Sequence, residues 1–192
     1  MRDLVYYVAV SLDGYIAAPD HTFDAFPVTG DHMDTILRDY TDALPAPALA
    51  ALGLTPPLSR FDTVLMGWNT YAVGLDTGVA SPYRHLRQIV FSRTRTTADI
   101  PGDADGITLT SENPVDVVRR LKSEPGGAIW LCGGGALASA LGEEIDRLAL
   151  KRNPVLFGAG IPLFAPGEYA PRDVAEVTTT AFQSGVVFSE YV

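Results

Sequence analysis

The run Ala128-Ile129-Trp130-Leu131-Cys132 is apolar and strand-like, and it passes directly into Gly133-Gly134-Gly135 and then into an alanine- and leucine-rich segment ending near Gly142. A strand that breaks on glycines and restarts as a helix is a βα unit, which needs a sheet for the strand and a layer of helices over it. Glycines at that junction remove side chains, so backbone amides can approach a phosphate ester, and the helix N-terminus faces its charge. Gly133-x-Gly135-x-x-Ala138 also satisfies the loose dinucleotide fingerprint, but it lies far from the first strand. No acidic residue waits about 20 residues on, around Gly158, for a ribose hydroxyl, so a conventional Rossmann domain is not expected. A tight turn without a ligand stays open as the plain alternative.

Other segments repeat the alternation. Leu4 to Val10 is β-branched and aromatic with almost no polar interruption, as expected of a central strand buried on both faces. Ser11-Leu12-Asp13-Gly14 is a turn, followed by Tyr15 to Asp20 and a polar, aromatic-bearing loop through Pro27 that can cover a pocket. From Asp31, the spacing of Met33, Ile36, Leu37 and Tyr40 predicts a helix of about three turns that stops before Pro45. Leu44 to Ser59 carries four prolines and predicts one brief helix inside a long connection. Asp62 to Met66 and Arg87 to Phe91 read as buried strands, and Asn113-Pro114 caps a helix with Val117, Val118 and Leu121 on its apolar face. Arg147 to Lys151 and Pro154 to Phe157 read as further extended segments. A hairpin then pairs Val174 to Phe182 with Val186 to Tyr191 across Gln183-Ser184-Gly185. The sum is one α/β domain over residues 1–192, with a mainly parallel central sheet and an antiparallel C-terminal edge.

Composition narrows the partners. The formal charge is −9, and no run of lysines and arginines offers a footprint for a nucleic-acid backbone. Anionic cofactors stay possible, because local amides and one or two arginines decide such contacts. Cys132 is the sole cysteine, which excludes an intramolecular disulfide, and it reads as a small buried hydrophobe. The longest apolar stretches fall far short of the roughly 20 residues of a membrane span, and with no signal-peptide pattern the expected location is cytoplasmic. His21, His32 and His85 lack the spacing of a zinc site, and no Gly-x-Ser-x-Gly elbow or Walker glycine loop occurs.

Three strand ends carry residues suited to a nucleotide. Beyond the glycine triplet, Met66-Gly67-Trp68-Asn69-Thr70-Tyr71 sets a glycine and polar groups at a second strand end. Phe91-Ser92-Arg93-Thr94-Arg95 sets hydroxyls and two guanidinium groups beyond a third, where arginine can fork onto a ribose 2′-phosphate and select NADPH over NADH. Ordinary βα turns and solvated surface arginines are the competing readings. Asp13 and Asp24 are the carboxylates nearest the pocket mouth and the candidates for a catalytic role, although aspartates in turns commonly bond local backbone.

Taken together, Val8 to Ala17, Leu65-Met66-Gly67-x-x-Thr70-Tyr71, Val90 to Thr94 and Cys132 to Gly135 resemble the dihydrofolate-reductase-like family, in the same order. Ser11 to Ala17 and Asn153 to Phe164 are most similar to the C-terminal reductase domain of the bifunctional riboflavin-biosynthesis protein, the RibD C-terminal domain, and its stand-alone relatives. The resemblance implies a three-layer α/β/α fold with NADPH across the carboxyl ends of the strands. By that carry-over, Ala9 and Ile16 flank the nicotinamide, and Gly67, Trp68, Asn69 and Thr70 meet the phosphates. Phe91, Ser92 and Arg93 hold the adenosine end, and Gly133, Gly134, Gly135, Ala136 and Leu137 cradle the pyrophosphate.

The implied activity is NADPH-dependent reduction of a small heterocycle, most specifically the reduction of 5-amino-6-(ribosylamino)uracil phosphate. Two alternatives stand beside it: a relative with an unrelated substrate, and a non-catalytic ligand-binding member of the fold. Trp68 departs from the family pattern, which commonly has arginine there, and Arg93 is the candidate to compensate. The acidic residue that dihydrofolate reductases place on their first helix has no secure counterpart, so that activity is not expected. The deaminase zinc set is missing from the chain, which leaves the reductase step alone. Asp20, Asp24 and Asp31 around the loop after Tyr15 count against a phosphorylated substrate. A homodimer is implied by family resemblance, and the C-terminal hairpin offers an edge for it.

Overall fold

The computed structural model describes residues 1–102 and 104–192. In chain order its strands are β1 (Leu4–Val10), β2 (Tyr15–Ala17), β3 (Phe61–Gly67), β4 (Arg87–Phe91), β5 (Ile107–Thr110), β6 (Ala128–Gly133), β7 (Arg147–Arg152), β8 (Ile161–Pro162), β9 (Glu176–Ala181) and β10 (Val187–Tyr191). Its α-helices are α1 (Met33–Asp39), α2 (Ala46–Leu52), α3 (Trp68–Asp76), α4 (Pro114–Ser123) and α5 (Gly135–Ala140).

The main sheet runs β5-β4-β3-β6-β1-β7-β10-β9. Its strands from β5 to β7 pair in parallel, while β10 is antiparallel to both β7 and β9. The mainly parallel sheet with an antiparallel C-terminal hairpin is therefore present as the sequence predicts. The absence of polar alternation in β1 has its reason in burial on both faces. Leu4 and Tyr6 enter a core with Leu65, Ile129 and Leu131 beneath Val118 and Leu121 of α4 and Leu137 of α5. Val5 enters a second core with Val64, Met66, Val90 and Trp130 beneath Ile36 of α1 and Tyr71 of α3. Helices cover both faces, giving three layers.

Several elements differ from their sequence expectation. Helix α1 spans seven residues, shorter than three turns, and is followed by a 3-10 turn at Thr41–Ala43. Asp42 explains the early stop: it is almost wholly buried, and its carboxylate accepts the amides of Leu58 at 2.7 Å, Arg60 at 2.8 Å and Phe61 at 3.2 Å. Continuing the helix would turn that carboxylate away from three donors. Pro154 to Phe157 is not a strand; Val155 bonds back to Asn153 and the Phe157 amide is taken by Asp13. Strand β5 and the small antiparallel pair of β2 with β8 carry no clear signal in the sequence. The brief helix in the proline-rich connection is α2, with Gly53 in the left-handed region at its end.

Asp42→Ala is expected to lower stability by about 2–4 kcal/mol, because three backbone donors lose their shared acceptor. Asp42→Asn, which keeps an oxygen acceptor, is expected to lose less. Urea denaturation of the two variants beside the wild type measures both.

Candidate active site at the carboxyl ends of the parallel strands

Strands β1, β6, β3 and β4 are consecutive neighbours and parallel, so their carboxyl ends reach the same edge of the sheet. That edge is where open α/β sheets form ligand crevices. The register brings Met66 opposite Gly133 and Gly67 opposite Phe91, which aligns the three sequence motifs. Ala9, near the end of β1, comes to the same edge, and Ile16 lies on the short β2 beside it.

The two glycine turns face each other. A Cβ built on Gly67 would lie 3.8 Å from the Gly133 carbonyl oxygen and 3.8 Å from the Gly134 nitrogen. A Cβ on Gly133 would lie 3.8 Å from Thr70 Oγ1 and 3.9 Å from Ile16 Cδ1, and one on Gly134 would lie 3.6 Å from Thr70 Oγ1. Gly67 and Gly134, both half-buried, present backbone beside Thr70 and Ile16, with Gly133 buried between them. Gly133 has φ of 136°, which L side chains rarely adopt, so glycine is required there by conformation as well as by space. Gly134 is the N-cap of α5, and Gly67 is the N-cap of α3, so two helix N-termini begin at this edge. Backbone donors and positive helix ends fit a pyrophosphate.

The remaining nucleotide candidates divide by where their side chains go. Phe91 and Leu137 are buried in the core, so only their backbone is available at the edge, while Ala136 is exposed. Ser92 Oγ accepts the amides of Thr94 at 3.3 Å and Arg95 at 3.0 Å, fixing the turn after β4. Arg93 and Asn69 are exposed. Trp68 packs against Tyr71 with ring centroids 5.5 Å apart and lies against the core on the α1 and α3 face. The Arg95 guanidinium sits 5.0 Å from the Trp68 ring and pairs with Asp99 at 3.3 Å. A guanidinium from the turn after β4 is therefore held over the Trp68 ring.

Of the two carboxylates, Asp13 is fully engaged. It accepts the Ser11 hydroxyl at 2.5 Å, the Phe157 amide at 3.1 Å and the Gly158 amide at 2.7 Å. The Ser11 hydrogen bond and those amides bring its pKa down to about 2, so at neutral pH it is an anion that ties the Ser11–Gly14 turn to the loop after β7. Asp24 is exposed in the loop after β2. Burial pushes the Cys132 thiol up to about 12, which makes it a poor nucleophile. His85 bonds the Asp42 carbonyl at 2.8 Å, and the described residues contain no cluster of three or more metal-ligating side chains. Two concavities, of about 330 and 220 Å³, open elsewhere, around Ala46 and Gly78 and around Leu148 and Tyr191.

Comparison with known proteins now decides the family. The RibD C-terminal domain family matches residues 2–188. The chain belongs to it. Within reach of this RibD C-terminal domain protein is YwjB of Bacillus subtilis strain 168, 30% identical over 165 residues that cover 85% of this chain and 83% of YwjB. YyaP of the same strain is 27% identical over 200 residues, covering 97% and 92%. The activities of both relatives are uncharacterised. A protein from Shewanella sp. PV-4, named as a putative riboflavin biosynthesis protein, superposes with a TM-score of 0.74 at 24% identity, covering 100% of this chain and 98% of that one. The Thermotoga maritima deaminase and 5-amino-6-(5-phosphoribosylamino)uracil reductase gives a TM-score of 0.63 at 15% identity; the match covers 99% of this chain but 56% of that longer protein. A pyrimidine reductase-like protein from Corynebacterium diphtheriae gives 0.60 at 14%, covering 99% and 91%. At these identities the solved structures establish the fold, the dihydrofolate-reductase-like α/β/α architecture.

The start of α5 is sterically closed on its other side, since a Cβ on Gly135 would fall 2.2 Å from the Pro162 carbonyl oxygen. Gly135→Ala is expected to cost about 1–3 kcal/mol through forced displacement of β8. Gly142→Ala, with nothing within 4 Å of its new methyl, is expected to stay within about 0.5 kcal/mol of wild type. Thermal unfolding of the pair separates steric closure at the start of α5 from a general intolerance of glycine replacement in α5 and the 3-10 turn that follows it at Gly142–Glu144.

Proposed function

We propose that this RibD C-terminal domain protein is an NADPH-dependent oxidoreductase of a small heterocyclic substrate, most specifically a reductase of 5-amino-6-(ribosylamino)uracil phosphate. The observation that carries the reading is the cradle of Gly67, Gly133 and Gly134 against Thr70, at the joined carboxyl ends of β3 and β6. These residues fit a pyrophosphate because glycine backbone lines the approach, with the Thr70 hydroxyl beside it. When bound, the dihydronicotinamide supplies a hydride, and the protein's task is to hold and orient it. Thr70 and the glycine amides hold the phosphates, Ala9 and Ile16 border the ring, and Arg93 with Arg95 reads the 2′-phosphate. Arg95 is preorganised by Asp99 and the Trp68 face, so it needs little ordering on binding. Because Trp68 packs toward the α1 and α3 core, it leaves the glycine cradle open, which favours a cofactor-binding member over a non-catalytic one. The likeness to the Thermotoga uracil reductase and the Corynebacterium pyrimidine reductase-like protein supports a pyrimidine substrate.

As a location we propose the cytoplasm; among the described residues no helix is long and apolar enough to cross a membrane. We propose a homodimer as the assembly, since β9 is exposed along its whole length at one edge of the sheet. Light scattering that returns twice the chain mass of 20.5 kDa supports it, and the single mass removes it.

Titration with NADPH and NADH, following nicotinamide fluorescence and quenching of Trp68, tests the cofactor reading. Saturable binding that favours NADPH is the expected result, and no binding of either nucleotide overturns it. The double change Arg93→Ala, Arg95→Ala is expected to raise the Kd for NADPH by about tenfold or more while leaving NADH unchanged.

A further inference from the structure

The chain uses lysine only twice, at Lys122 and Lys151, and both are buried. Lys122 is compensated: its ammonium lies 2.7 Å from Asp146 and 2.6 Å from the Glu144 carbonyl. Lys151 has no carboxylate within ion-pair distance among the described residues, and its one hydrogen bond goes to the neutral carbonyl of Pro27 at 3.0 Å. A buried cation ordinarily has a counter-charge, because desolvation without one is costly. An ammonium has three donors, and here one is used.

The position of this uncompensated charge is fixed by the sheet. Lys151 is the register partner of Ala9 on β1, at the carboxyl end of the parallel pair, and of Phe188 on β10. It therefore shares a face with Ala9 and Tyr7, two residues apart on β1. Tyr7 is partly exposed and stacks on Tyr40 at 4.2 Å, which gives that face a flat aromatic surface. Above lies the loop after β2, fastened at Pro27 by Lys151 itself, at Phe26 by stacking on Phe157 at 4.9 Å, and at Asp31 by the amides of Gln183 and Ser184. His32, at the end of that loop, is fully buried with its Nε2 unpartnered; burial first, and the charge of Lys151 second, hold its imidazole below the usual pKa and so neutral. Burial likewise lowers the pKa of Lys151. Among the described residues, no carboxylate of the loop lies within ion-pair distance of Lys151, and Asp31 is taken by the amides of Gln183 and Ser184.

We propose that Lys151 is the substrate-binding cation of the site, receiving an anionic oxygen of a planar pyrimidine-type heterocycle beside Ala9. The inference rests on the cofactor reading for placing the reacting ring at Ala9. It adds to that reading the residue and the charge that select the substrate. A ligand oxyanion supplies the counter-charge that the protein withholds, so binding turns an unfavourable buried ammonium into a satisfied pair. A single ammonium suits one oxyanion on the edge of a ring.

The test is calorimetric titration with two pyrimidines of similar size, barbiturate, which is an oxyanion at neutral pH, and uracil, which is neutral, with and without NADP⁺. Wild type is expected to bind barbiturate about tenfold or more tighter than uracil, and Lys151→Met to abolish that preference while uracil affinity is kept. Lys151→Arg, which keeps the charge, is expected to retain a preference for barbiturate. Circular dichroism of Lys151→Met checks that the fold is intact. Equal affinities on wild type, no binding of either pyrimidine, or an unchanged preference in Lys151→Met overturns the proposal. Discrimination by Lys151 in a protein that binds no nicotinamide nucleotide keeps the oxyanion site and removes the reductase reading. Nucleotide binding without discrimination does the reverse.

Discussion

A strand with both faces in the core has no water to satisfy its amides and carbonyls, so it must be paired along both edges. Strand β1 meets that demand with β6 on one side and β7 on the other, in parallel with each. Parallel pairing in turn requires crossover connections, and those place α3 to α5 and the long proline-rich segment on the faces of the sheet. The same pairing leaves the carboxyl ends of β4, β3, β6, β1 and β7 on one edge, where their connecting turns must gather. Site and core thus share one cause: the turns are close together because the strands beneath them are buried.

What the gathered turns do depends on small chemical choices. Glycine at the ends of β3 and β6 makes backbone the lining material, and Thr70 supplies a hydroxyl against it. The Trp68 ring serves as the platform on which Arg95 rests, with Asp99 completing the hold. A guanidinium on the turn after β4 is thereby fixed against the first residue of α3. On the far side of β1 the pattern inverts, and a cation on β7 is left with a carbonyl alone.

The parts of the chain that were legible are those where burial writes a long signal. The runs at β1, β3, β4 and β6 are largely apolar because both faces are packed, and Asn113-Pro114 opens α4 with the expected cap, its side chain accepting the Val115 amide. Strand β5, Ile-Thr-Leu-Thr, is a four-residue edge strand whose alternation is too brief to stand out, and β8 is two residues long. Helix α1 ended early for a reason local pattern does not hold, the three distant amides that converge on Asp42. At the site, the glycine motifs were visible because they break strong strands. Asp13 looked like a turn residue, and its partners at Phe157 and Gly158 are 144 and 145 positions away. Lys151 was illegible: beside Arg152 at a strand end it reads as a solvated pair, and only the register with Ala9 and the overlying Pro27 reveals its burial.

The close approaches at Gly135 and Gly160 have a further bearing on how this scaffold can diversify. Each glycine sits where a Cβ would fall 2.2 Å from a backbone oxygen, of Pro162 and of Ala17, so the β2 and β8 pair is locked against α5 by atoms that no substitution can replace. The loops after β2 and after β4 carry no such lock, and loops of that kind are where length and sequence drift freely. Glycine at 135 and 160 is therefore held by backbone geometry, whereas the loop after β2 is held at Lys151, Phe157 and Asp31 by side chains that a substitution can exchange.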